Sequence, residues 1–154
     1  MLINLSQSYK ITGQKLQFEE LYINDDSIEI IEKNFFQGIK FQKITFENCT
    51  NLKSIDEKAF AHTEMEIIIF KIIGHNQIEN SNALFNVISK MMNLEMLRIE
   101  DTKIIEIPDY AFHPINGIQY NLTHISFDSR CTHGAIKKLG NFPFYYLPNL
   151  VHID

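Results

Sequence analysis

In residues 93–112, "NLEMLRIEDTKIIEIPDYAF", the apolar or small positions are Leu94, Leu97, Ile99, Thr102, Ile104, Ile107 and Phe112. The steps between them are 3, 2, 3, 2, 3 and 5. An amphipathic helix favours steps of 3 and 4, and a half-buried strand steps of 2. The stretch keeps to neither for long. The same rhythm occurs upstream in Phe18, Leu21, Ile23, Asp26, Ile28, Ile31, Phe36 and Ile39. It returns in Phe41, Ile44, Phe46, Cys49, Leu52, Ile55 and Phe60, with one residue inserted after Cys49. Downstream, Leu122, Ile125, Phe127, Ile136, Leu139, Phe144 and Leu147 follow it across a longer insertion.

Units therefore start near 18, 41, 67, 94 and 122, with an incomplete unit from 150. For the third, Met65/Ile68/Phe70 and Ile67/Phe70/Ile72 both fit. The second register is preferred, because the fifth unit also begins well after the preceding Phe112. The stretch "GHNQIENSNALFNVISKMMN" carries an insertion that the periodicity does not place. Spacings of roughly 23–29 residues and the order L-x-x-L-x-L-x-x-N/C-x-L are those of leucine-rich repeats. The pattern predicts one α/β domain over residues 1–154. It is a leucine-rich-repeat solenoid of about five coils, with a parallel concave β-sheet and an irregular or short-helical convex side. The 3-2 opening of each unit is a strand whose alternate side chains point inward. The later Ile and Phe return through the core, and no unit can bury its apolar face without neighbours. Phe36, Phe60, Phe85, Phe112 and Phe144 are predicted to form one stacked aromatic column. The ninth position, usually Asn, holds Asp26, Cys49, His75 or Asn76, Thr102, and Arg130 or Cys131. Irregular turns are expected there.

The residues that the rhythm skips face the concave side, and they are the candidate site. Near the strand ends they read Asn24 and Asp25, Glu47 and Asn48, Glu100 and Asp101, and Asp128 and Ser129. In mid-strand they read Tyr22, Thr45, Arg98 and Ser126, with an apolar residue expected from the third unit. Beside these run Glu20, Lys43, Met96 and His124. The candidate binding residues are Tyr22, Asn24, Asp25, Glu47, Met96, Arg98, Glu100, Asp101, His124 and Asp128. Their carboxylates read as an acidic strip for a protein partner with a basic surface, steered by charge. The alternative is an ordinary solvated face.

Charge and composition narrow the classes. A net charge of −5 argues against non-specific nucleic-acid binding, which depends on neutralising phosphates. The longest apolar run, "IIIFKII" at 67–73, is interrupted by Lys71 and is too short for a membrane span. The start "MLINLSQSYK" has no basic region and no apolar block of a secretory signal. That leaves an intracellular protein or a trimmed form of a secreted one. Sequons at Asn4, Asn48 and Asn121 are candidate N-glycosylation sites and lean towards secretion. Cys49 and Cys131 lie three coils apart, about 14 Å at ~4.8 Å per strand. A disulfide tolerates about 7 Å between Cα atoms, so the two are not expected to pair. The cysteines form no C-x-x-C pair and the histidines no ligand spacing, so no metal and no cofactor are expected. No phosphate-binding loop, nucleophile elbow or zinc-protease motif occurs, and the chain is not expected to be an enzyme. Cys131 and His133 are close in sequence, which is not the geometry of a nucleophile and base. Solenoid ends need covers, and uncapped ends predict a homodimer or a longer array.

Three stretches carry a narrower likeness: "ITFENCTNLKSIDEKAF", "NLEMLRIEDTKIIEIPDYAFHPINGIQYNLTHISF" and "FPFYYLPNLVHID". They resemble arthropod extracellular leucine-rich-repeat proteins. More narrowly, they look similar to proteins named after the non-catalytic subunit of the Oplophorus-type luciferase. The resemblance implies a secreted, non-catalytic protein that binds or stabilises another. The rival expectations are an intracellular leucine-rich-repeat adaptor and an accessory subunit of an enzyme complex.

Overall fold

Strict alternation of inward apolar and outward mixed residues makes each repeat open as a strand, and the strands stack into one sheet. The computed structural model describes residues 3–6, 16–113, 121–128 and 136–154. In chain order its strands are β1 (Ile3–Ser6), β2 (Leu16–Ile23), β3 (Ile30–Ile31), β4 (Ile39–Glu47), β5 (Ser54–Ile55) and β6 (Ile69–Ile73). Helix α1 (Ser81–Ile88) follows, then β7 (Met96–Ile99), β8 (Glu106–Ile107), β9 (His124–Ser126), β10 (Lys138–Leu139) and β11 (His152–Ile153). The concave sheet has seven strands in the order β1-β2-β4-β6-β7-β9-β11. All its pairings are parallel except β1 with β2, which is antiparallel. β1 thus lies over the outer edge of the first coil.

The register aligns Leu21, Ile44, Phe70, Leu97 and Ile125 in one row. Ile23, Phe46, Ile72 and Ile99 form the next. Every residue of both rows is buried. With Phe70 in the first row, the third coil opens at Ile67, itself fully buried. Burying one such side chain contributes about 1.5–3 kcal/mol, so these rows supply much of the drive for stacking.

The convex side is mostly turns. β3 pairs with β5, and β8 with β10, each a parallel two-residue ladder. Between the two ladders stands α1, the segment that periodicity could not place. Asn80 caps it, its Oδ1 accepting from Ala83 N–H at 3.0 Å. Leu84, Phe85 and Ile88 lie on one face and are buried.

The aromatic residues correct one expectation. Phe36 stacks on Phe60 at 4.9 Å, and Phe112 on Phe144 at 6.1 Å, with Phe85 edge-on to Phe112 at 5.3 Å. Phe60 and Phe85 do not touch as rings. Phe60 instead turns to Phe70 on β6, at 5.9 Å. The column is therefore two groups, and the break falls within the third coil, where a helix replaces the tight convex turn and carries Phe85 with the later coils.

Turn chemistry explains several conspicuous polar residues. Asn48, Gly74 and Asp101 occupy equivalent places just after β4, β6 and β7, and all three have left-handed backbone, with φ of 51°, 78° and 51°. Asn, Gly and Asp are the residue types that tolerate it. Gly74 has a second reason: a Cβ there would lie 2.2 Å from Asn48 Oδ1. The ninth-position residues satisfy backbone one by one. Asp26 Oδ1 accepts from Thr50 N–H (3.2 Å) and Thr50 Oγ1 (2.8 Å) in the next coil. Cys49 Sγ donates to Ile23 O at 3.6 Å. In the third coil Asn76, not exposed His75, is the buried ladder residue: it donates to Gly74 O and accepts from Ile78 N–H. Thr102 Oγ1 accepts from Ile104 N–H. Arg130 and Cys131 lie outside the described residues.

Candidate binding face

Three rows of side chains leave the concave side of the sheet, and the register sets their order. The first reads Glu20, Lys43, Ile69, Met96, His124 and His152. The second reads Tyr22, Thr45, Lys71, Arg98 and Ser126. In the third, Glu47 is paired with Ile73; Asn24 precedes them, and Glu100 and Asp128 follow as the next residues of their coils. The third coil thus places Lys71 in mid-strand, not the apolar residue expected there. Its apolar residues, Ile69 and Ile73, flank that lysine.

The carboxylates do not form a continuous acidic strip. Glu47 accepts a hydrogen bond from the Tyr22 hydroxyl of the preceding coil. That bond holds the Tyr22 phenol above its usual value, because ionisation would set a phenolate against the carboxylate. Ile73 then interrupts the row. Glu100 is 5% exposed and takes the Nε–H of Arg98. Asp101 is the left-handed turn residue described above. Asp25 accepts from the hydroxyl and the backbone N–H of Ser27, which hold its carboxyl below the usual carboxylate range. Asn24 is exposed at the end of β2. The sheet therefore brings Tyr22 and Glu47 together, and Met96, Arg98 and Glu100 together. Asn24, Asp25 and Asp101 belong to the turns.

Towards the last coils the face deepens into an open hollow of about 520 Å³. Met96, Arg98, Glu100, His124, Asp128 and His152 line it, with Asp154 at its end. The His124 and His152 rings lie 5.8 Å apart, and His152 Nε2 is 2.8 Å from Asp154 Oδ1. Among the described residues no three His, Cys, Asp or Glu gather closely enough to hold a metal ion. A larger hollow of about 600 Å³ opens at the strand entrances, between Glu95, Asn121, Thr123 and Asn149. Its walls are already tied together: Glu95 O accepts from the backbone and hydroxyl of Thr123.

Sequence reasoning passed over Lys71, Ile69, Ile73 and His152. For the first three the signal was present. Once the third coil opens at Ile67, the alternation in "IFKII" points Phe70 and Ile72 inward and the other three outward. All three candidate glycosylation sites fall among the described residues. Asn4 lies on β1 opposite Tyr22. Asn48 is exposed, with its side chain against Gly74. Asn121 is exposed, and its Nδ2 donates to Asn93 Oδ1 at 3.2 Å. Cys49 is 2% exposed, and burial pushes its thiol above the ordinary value. Ser129, Cys131 and His133 lie outside the described residues. No helix among the described residues is long and apolar enough to cross a membrane.

Residues 12–133 match the family model of the BspA-type leucine-rich repeat region, in six copies. No curated protein and no solved structure matches the chain.

Proposed function

Because the chain belongs to the BspA-type leucine-rich-repeat family, we propose that it is a non-enzymatic module that binds another protein on its concave face. The observation that carries this reading is the in-register face of β6 and β7. Ile69 and Met96 lie side by side there, as do Lys71 and Arg98, all half-buried and none consumed by the core. A broad, shallow and regular surface of this kind suits recognition of a protein segment by area, as in other solenoids. A deep pocket for a small ligand is a different construction. The test compares the proteins captured by the wild type, by Met96→Asp on the concave face and by Lys33→Glu on a convex turn. Loss of specific partners in Met96→Asp alone supports the reading. An identical captured set in all three variants refutes it.

We further propose an extracellular setting and an accessory, non-catalytic role in a larger assembly. Exposed sequons at Asn48 and Asn121 and the resemblance to extracellular repeat proteins support this. A glycan on Asn48 would stand at the rim of the concave face. Enzymatic deglycosylation of the native protein followed by mass spectrometry is the check. Unmodified Asn48 and Asn121 would favour the intracellular adaptor instead.

A further inference from the structure

Lys71 and Arg98 stand opposite each other on β6 and β7, about 4.8 Å apart at the strand spacing. Like charges directly opposite on a sheet are destabilising. Both side chains are half-buried, so the surrounding water only partly screens them. Their hydrogen-bonding capacity is also largely unspent. Arg98 has five N–H donors and Lys71 has three. Only Arg98 Nε is engaged among the described residues, by Glu100. Of the carboxylates nearby, Glu47 is engaged by Tyr22 and buried Glu100 already pairs with Arg98 Nε, which leaves Lys71 without an acidic partner among the described residues. Apolar side chains stand on both sides of the cations, Ile69 and Met96 before them and Ile73 after. An occupant that satisfies this surface brings anionic acceptors to the middle and apolar groups to the flanks.

We propose that the third and fourth coils form a carboxylate-binding subsite, where Lys71 and Arg98 hold an Asp, Glu or C-terminal carboxylate of an extended acidic–apolar segment of the partner protein. Arg98 offers its outer guanidinium nitrogens as a planar fork, and Lys71 adds a mobile point charge beside it. The carboxylate relieves the repulsion between the two cations. The flanking side chains of the segment cover Ile69, Met96 and Ile73. This inference rests on the concave face being the binding face, and adds the chemistry that the face selects. It reverses the charge expected of the partner: a basic segment would bring its cations onto Lys71 and the open side of the Arg98 guanidinium.

Random peptide display on the immobilised 154-residue chain tests it. Enriched peptides are synthesised and titrated by fluorescence anisotropy against the wild type, Lys71→Glu, Lys71→Met, Met96→Asp and Lys33→Glu. Circular dichroism establishes that each variant is folded. The expected peptides carry Asp or Glu beside apolar residues. Their affinity should fall roughly tenfold or more in Lys71→Glu, fall less in Lys71→Met, weaken with salt, and be unchanged in Lys33→Glu. Basic or neutral binders lost in Met96→Asp would overturn the subsite and leave the concave face as the binding face. Acidic binders indifferent to Lys71→Glu but lost in Met96→Asp would do the same. Binders indifferent to both substitutions would overturn both readings.

Discussion

Glu100 sits where the sheet nearly closes it from solvent, and the Arg98 Nε–H beside it satisfies the buried charge. The two partners are therefore not equivalent. Removing Arg98 leaves a buried carboxylate without its cation, whereas neutralising Glu100 leaves a guanidinium that still reaches water. We expect Arg98→Ala to destabilise the fold by about 3 kcal/mol, and Glu100→Gln by about 1 kcal/mol. Urea denaturation of both variants checks this, and equal losses would contradict it. The contrast also shows what was legible at this scale. The positions of Arg98 and Glu100 on the concave side follow from spacing alone. Their mutual engagement does not, because residues two apart on a strand meet only when side-chain length and neighbouring bulk allow it. Asp101 is the opposite case. Its type looked like surface charge, and the left-handed turn that uses it is a backbone property with no periodic signal.

At the scale of elements, the return from β8 to the next coil depends on close backbone approach. Asp109 accepts from Asn141 N–H at 2.6 Å and from Asn141 Nδ2 at 3.2 Å, the backbone bond being the larger influence on its acidity. Together they hold its carboxyl below the usual carboxylate range. A carboxyl depressed in the folded state stabilises that state fully above its unfolded value, about pH 4. The contribution is lost as pH falls through the lower folded value. The difference in melting temperature between the wild type and Asp109→Asn should therefore shrink as the pH is taken from about 5 to about 2. A difference that stays constant would show that Asp109 does not act through its charge. Gly140 crosses the same turn. A Cβ on it would lie 2.3 Å from Asp109 N and 2.5 Å from Pro108 C, both backbone atoms. Gly140→Ala must displace the turn, at about 2–3 kcal/mol. Helix α1 is the element that period-based reading missed. Its signals, the Asn80 cap and the inward Leu84, Phe85 and Ile88, are local and helical. They were embedded in a chain whose dominant rhythm is not.

For the whole molecule, the coil count and parallel sheet were readable because every coil must bury the same rows. The aromatic packing was not, because ring contacts depend on the convex path of each coil, and α1 changes that path once. Phe36, Phe60 and Phe70 belong to one group, and Phe85, Phe112 and Phe144 to the other. Stacked repeats gain stability chiefly from neighbours, so a change in packing between neighbours marks a boundary between cooperative units. Hydrogen exchange read by mass spectrometry should show two protection levels, with the step between residues 74 and 93, the span that holds α1. A single uniform level would deny the boundary.

That boundary has a mechanical meaning. Among the described residues, seven strands hold the concave side together continuously, while the convex side has two short ladders separated by a helix. A load applied to the two ends would find a stiff inner face and a jointed back. The joint lies behind β6 and β7, so the molecule would flex like a hinge whose pin runs beneath Lys71 and Arg98. A partner gripping those two residues would feel the bend first, and by holding them it would lock the angle between the halves.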